Sequence, residues 1–212
     1  MSDPTFDPNC RACPRLAAFL DEVKRGHPDY FCAPVPAFGD KNPRLLIVGL
    51  APGKHGANRS GRPFTGDYAG ILLYQTLFDL GLASTPVSES ADDGLKLIGV
   101  RISNAVKCLP PQNKPETSEI RQCNPFLAAE IAALPKGCNL LALGSIAHQA
   151  VLRAYGSKLG EYKFAHGTEH RLPDGRTLFD SYHCSRYNTQ TKRLTAEMFA
   201  EVLGRAASKS AP

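Results

Sequence analysis

The chain has 212 residues, of which 42 % are hydrophobic and 21 % charged, ordinary values for a globular protein. Its 25 Lys+Arg against 20 Asp+Glu give a formal charge of +5, which permits an anionic partner without requiring one. No apolar run nears the roughly 18 residues a membrane span needs, and the start MSDPTFDPNC lacks the basic-then-apolar order of a secretory signal. We therefore expect one cytoplasmic domain over residues 1–212, monomeric and not membrane-bound, with residues 205–212 a frayed tail.

In chain order, a C-x2-C pair (Cys10, Cys13) comes first, then a Pro-rich loop over residues 28–43. Strands are expected at Arg44–Leu50, Leu97–Ser103, Asn139–Gly144 and Thr177–Tyr182. The first and third are nearly all apolar, as strands covered on both faces are. Helical patterns fill the gaps: Ala69–Leu80 stopped by Gly81, Thr117–Ala133 kinked or divided at Pro125, Ser145–Tyr155 with Ser145 as N-cap, and Thr191–Leu203. Alternation of this kind predicts an α/β fold, a three-layer αβα sandwich around a central four-stranded parallel sheet.

Such sheets gather function in loops beyond the carboxyl ends of the strands. Here those loops are Ala51–Asp67, Asn104–Cys108 and His183–Thr189, all rich in Gly, Pro, Asn, His or Arg. The first, read from Gly49 as GLAPGKHGANRSGRPFTGD, is neither a Walker loop nor a dinucleotide fingerprint. Its glycines allow close backbone approach to a planar ligand. Phe64 stands among residues too polar for a core segment, and either stacks on a base or seals the domain edge. Asp67 begins the next helix, where N-capping is the commoner role.

Seven cysteines are many for a compartment that keeps thiols reduced, and an odd number argues against a complete disulfide framework. Cys10 and Cys13, joined by Cys108 and Cys123 through folding, make a four-thiolate site suited to zinc or to an iron–sulfur cluster. Spacing does not separate the two, although a Pro-broken second segment favours a cluster-tied loop. Cys32, Cys138 and Cys184 read as bystanders.

The runs GLAPGKHGANRSGRPFTGD, NAVKCLPPQNKP and SYHCSRYNTQT, with YFCAPVPAFGD upstream, together resemble the type B (family five) uracil-DNA glycosylases, over nearly the whole chain. The resemblance implies a DNA repair enzyme that flips out uracil, or other deaminated bases, and hydrolyses the N-glycosidic bond to leave an abasic site. It implies a [4Fe–4S] cluster on Cys10, Cys13, Cys108 and Cys123. It makes Asp67, His183 and Asn104 catalytic, with Asp67 orienting water in place of the acid that the related family four carries where this chain has Leu50. It assigns base contact to Phe64 and Asn104, with Ala51, Gly53 and His55 completing the substrate site. DNA contacts fall to Ser185, Arg186, Tyr187 and Asn188, with either Arg186 or Tyr187 the wedge, and Ser145, at a helix N-terminus, separately offers amides to a phosphate. Many members read His-Pro-Ser in the last motif, where this chain reads His183-Cys184-Ser185. The competing readings are a non-catalytic nucleic-acid module held by zinc or iron–sulfur, and an iron–sulfur electron carrier. The basic candidates for one DNA groove are Arg59, Arg62, Lys107, Arg186 and Lys192.

Overall fold

A computed structural model describes residues 6–208. Its sheet has six strands in the order β1-β3-β2-β4-β6-β5. The strands are β1 (Phe38–Gly39), β2 (Leu45–Gly49), β3 (Val100–Asn104), β4 (Asn139–Leu143), β5 (Glu169–Arg171) and β6 (Thr177–Ser181). The four expected strands are the parallel centre, β3-β2-β4-β6, and the short β1 and β5 add antiparallel edges. The central sheet is therefore wider than the four strands expected. Two- and three-residue strands carry too little alternation to be visible in sequence. Every residue of β2 and β4 is buried, as their continuous apolar character requires.

Helices α3 (Tyr68–Asp79) and α7 (Ala196–Ser208) cover one face and α4 (Thr117–Ala132) and α5 (Ser145–Ala154) the other, each over its own apolar cluster. Pro125 lies inside α4 without dividing it. Two short helices, α2 (Ala57–Ser60) and α6 (Arg186–Gln190), sit in the loops after β2 and β6. An unexpected helix, α1 (Pro14–Gly26), begins directly after Cys13 and buries Leu16, Ala17, Leu20 and Val23. Among the described residues no helix is long and apolar enough to cross a membrane.

Two local expectations need correction. The final helix starts later and runs through Ser208, so residues 205–208 are not frayed; residues 209–212 lie outside the described part. Ala206 is fully buried, its carbonyl accepts from Asn139 Nδ2 at 2.9 Å, and Arg205 Nη2 donates to Gly167 O at 2.6 Å. Ser145 is the first residue of α5 rather than its cap; Gly144 holds the cap position with φ +97°.

Candidate active site and cysteine cradle

The loops after β2, β3 and β6 converge, as parallel strands demand, on one cleft of about 430 Å³. Leu50, Ala51, Gly53, Phe64, Asp67, Asn104, His183, Ser185 and Arg186 line it, with Asn113 from the segment between β3 and α4. In the sheet register Gly49 stands beside Asn104. A Cβ on Gly49 would collide with Asn104 Oδ1 and lie 2.7 Å from Phe64 Cζ. That glycine lets the Asn side chain and the Phe ring meet over the strand end. Asn104 is 3 % exposed, yet its Oδ1 is buried with no hydrogen-bond partner.

Phe64 is 6 % exposed and has φ +54°, a left-handed conformation uncommon for a bulky residue. Its surroundings hold it there. A Cβ at Gly70 would collide with the Phe64 carbonyl oxygen. Tyr74 Oη donates to Pro63 O at 2.7 Å, and Arg62 Nε donates to Thr65 Oγ1 at 2.9 Å. The ring belongs to the apolar cluster and also faces the cleft, so edge-sealing and stacking are compatible roles. It lies 5.9 Å from the His183 ring at an interplanar angle of 30°.

His183 is the other inner wall. Burial pushes its imidazole down to about 4, so the ring is neutral near pH 7 and one nitrogen carries a proton. Its Nδ1 is buried without a partner. The backbone is fixed instead, because Asn188 Nδ2 donates to His183 O at 2.8 Å. Cys184, where Pro is common in the resembling sequences, is fully buried beneath this loop.

Asp67 does cap α3: its Oδ1 accepts from Gly70 N at 2.8 Å. Its Oδ2 points toward the glycine loop, 3.8 Å from a Cβ built on Gly53 and 2.6 Å from one on Gly56. Capping and facing the cleft thus fall to different oxygens of one carboxylate. Burial raises this carboxyl above the usual aspartate range, against backbone N–H bonds from Gly70 and Ala69 that lower it.

The DNA-contact candidates divide. Ser185 caps α6, accepting from Asn188 N at 3.4 Å, and with Arg186 lines the cleft. Arg186 lies over the Tyr68 ring at 4.9 Å. Tyr187 is 70 % exposed. Ser145 is exposed at the α5 terminus and outside the cleft lining. His55 is a departure from expectation: it is exposed, it is not in the cleft wall, and its Nδ1 pairs with Tyr30 Oη at 2.8 Å. Lys107 and Arg62 also leave the basic set. Lys107 is buried on Glu130 at 2.7 Å, and Arg62 is buried on Asp93.

The four expected cysteines, Cys10, Cys13, Cys108 and Cys123, line a single cavity with Leu16, Val106 and Phe126. Cys13 precedes α1, Cys108 follows β3, and Cys123 lies inside α4 rather than in a loop. Arg15 clamps the two helices, with Nε and Nη2 on the Glu119 carboxylate at 2.8 and 2.7 Å. Burial and the neighbouring sulfurs push Cys108 up to about 12, and burial pushes Cys123 up to about 11. Thiols so placed ionise only when a cationic group shares their charge. Four thiol donors in an apolar cradle are a donor set that suits zinc or an iron–sulfur cluster.

Fold and site together describe an α/β domain whose strand ends surround one cleft. A family model described as Uracil DNA glycosylase superfamily matches residues 36–207, and the chain belongs to that superfamily. Within it the chain belongs to the type-5 family. It is 50 % identical to the type-5 uracil-DNA glycosylase of Thermus thermophilus, over 92 % of this chain and 90 % of that one. It is 44 % identical to the type-5 uracil-DNA glycosylase of Pyrobaculum aerophilum, over 94 % and 88 %. Among solved structures, wild-type SMUG2 of Pedobacter heparinus aligns with a TM-score of 0.49 and 14 % identity, over 78 % of this chain and 74 % of that one.

Proposed function

We propose that this protein excises uracil from DNA by hydrolysing the N-glycosidic bond of a flipped-out nucleotide. The observation that carries the reading is a pair of buried polar atoms without partners, Asn104 Oδ1 and His183 Nδ1, on residues that line one cleft with Phe64. An unsatisfied buried group costs roughly 1–3 kcal/mol, a cost that a bound base edge would remove.

Flipping costs a few kcal/mol, and stacking on Phe64 returns about 1–3 kcal/mol. The Asn104 carboxamide oxygen accepts from the N3–H of uracil and faces an acceptor in cytosine, which rejects it. As the bond breaks, its electron pair passes to N1 of the base, and charge spreads to the base oxygens. Neutral His183 donates one hydrogen bond there, and backbone amides near Ala51 and Gly53 supply others. Water attacks C1′ of the sugar. The free Oδ2 of Asp67 orients that water and offsets the positive charge on the sugar, and its raised basicity suits proton uptake. Ser185, Arg186, Tyr187 and Asn188 bind the backbone beside the emptied stack, and Ser145 offers helix N-terminal amides to a phosphate. Cys10, Cys13, Cys108 and Cys123 would hold a [4Fe–4S] cluster, which would cross-link the N-terminal segment leading into α1, the segment after β3 and α4. With Leu50 in place of a carboxylate, the cleft also accommodates other deaminated bases.

The test is incubation with uracil-containing single- and double-stranded oligonucleotides, followed by alkaline cleavage at abasic sites. Hypoxanthine and xanthine substrates measure breadth. Strand breaks at the uracil position support the reading. DNA binding without any break at either substrate would leave a non-catalytic nucleic-acid module instead.

A further inference from the structure

A second groove, of about 630 Å³, runs along the outer side of the active cleft and shares Asp67, Tyr68 and Arg186 with it. The two are separated by one stacked layer, the Arg186 guanidinium over the Tyr68 ring at 4.9 Å. The far side of the groove has apolar side chains that the fold leaves uncovered: Ile71 on α3 is 66 % exposed, and Val87 opposite is 57 % exposed. Arg59 and Arg186 both line it, and neither has an ion-pair partner among the described residues. Glu89 is the one lining carboxylate besides Asp67.

Resting on the glycosylase reading, we propose that this groove is a subsite for the nucleotide next to the flipped one on the same strand. Continuity with the cleft fixes the occupant. A strand whose one base enters the cleft must carry its neighbour across the Tyr68–Arg186 layer. Consecutive nucleotides are bridged by a single phosphate, which that guanidinium meets. The neighbouring base then rests against Ile71 and Val87, an apolar contact open to any of the four bases. Arg59 faces the following phosphate. The subsite deepens DNA binding without sequence preference and favours strands in which the neighbour is unstacked.

The test is a cycle between protein and substrate. Ile71→Asp and Val87→Asp add a charge to exposed positions outside the chemistry. Binding is measured by fluorescence anisotropy, and excision under single turnover, on single-stranded oligonucleotides with uracil flanked by normal bases or by a tetrahydrofuran spacer on the 5′ or the 3′ side. The wild type should bind about five- to tenfold more weakly when the spacer replaces the groove's base, in line with base-contact losses elsewhere. The variants should bind normal DNA as weakly as the wild type binds that spacer DNA, and should gain no further loss from it. On the spacer substrate their excision rates at saturation should equal the wild-type rate. Variants that bind normal DNA like the wild type, or that show the full spacer loss in addition, would overturn the subsite. Absence of excision by the wild type on every substrate is a different failure, that of the glycosylase reading, and leaves the binding cycle interpretable.

Discussion

Gly49→Ala isolates the proposed base-recognition corner of Asn104 and Phe64, because the backbone there is ordinary strand and the only cost is steric. The new methyl would overlap Asn104 Oδ1 and stand 2.7 Å from Phe64 Cζ and 2.8 Å from its Cε2. Ordinary contact begins at 3.4 Å, so the ring must retreat by about 0.7 Å while Asn104 turns aside. Overpacking of this kind costs roughly 1–3 kcal/mol of stability. For a chain of this size each kcal/mol lowers the melting temperature by about 2–4 °C. Displacing a positioning group by about 1 Å can cost two orders of magnitude in rate. We expect single-turnover uracil release to fall about 100-fold in a protein that remains folded at the assay temperature. Val202→Ala, buried in α7 away from the cleft, provides a destabilised control whose release rate should stay near wild type. A Gly49→Ala protein with an unchanged release rate would refute the assignment of Asn104 and Phe64 as the base-recognition corner.

Other consequences are equally open to measurement. Because burial raises the Asp67 carboxyl, and the proposed catalysis uses its carboxylate, the rate should fall with decreasing pH through an apparent pKa above the usual aspartate value of about 3.9. A single-turnover pH profile with that limb missing removes Asp67 from the rate. His148 has acceptors at both ring nitrogens, Asp180 Oδ1 at 2.8 Å and Tyr162 O at 3.0 Å, an arrangement that the protonated ring satisfies at both ends. Burial lowers its pKa, but the Asp180 bond and charge raise it more. That stabilisation is full below the unfolded histidine value and is lost as pH rises through the raised one. Melting temperature should therefore decline as pH rises through and above the ordinary histidine value of about 6.5, and the decline should shrink in His148→Gln; parallel curves would refute the pairing. Cys123→Ser should abolish visible absorption and lower the melting temperature, with iron and acid-labile sulfide lost together. Stoichiometric zinc in the wild type would contradict the cluster. Affinity for single-stranded DNA should fall linearly on a log–log salt plot, and less steeply in Arg186→Gln; identical slopes would take Arg186 off the phosphates.

The sheet's parallel centre is readable in sequence because β2 and β4 are buried along their whole length and their composition says so. Its edges are not, since β1 and β5 are set by pairing with neighbours rather than by any pattern of their own. The helix α1 carries a visible signal, Pro14 at its start and apolar residues at Leu16, Leu20 and Val23, which the cysteines just before it overshadow. Asp67, Phe64, Asn104 and His183 are legible through motif order, and the strand-end rule places them together. What sequence does not show is division of labour within a group, such as the two Asp67 oxygens serving cap and cleft. His55 departs from expectation because the glycine loop turns through α2, carrying that side chain out to Tyr30. Lys107 and Arg62 look like surface cations in sequence, and only tertiary pairing with Glu130 and Asp93 reveals them as internal. Asn113 lies in the run NAVKCLPPQNKP without being singled out by it; it reaches the cleft through two consecutive left-handed residues, Gln112 and Asn113, with φ +54° and +57°, which no composition announces.

The central claim is that the cleft of Phe64, Asn104, His183 and Asp67 breaks a glycosidic bond. Its most direct test is free uracil released from a uracil-containing oligonucleotide, quantified by chromatography under single turnover for the wild type and for Asp67→Asn at matched DNA occupancy. The account predicts stoichiometric uracil from the wild type and a rate lower by orders of magnitude in the variant. No free uracil from the wild type, or equal rates in the two proteins, would contradict it.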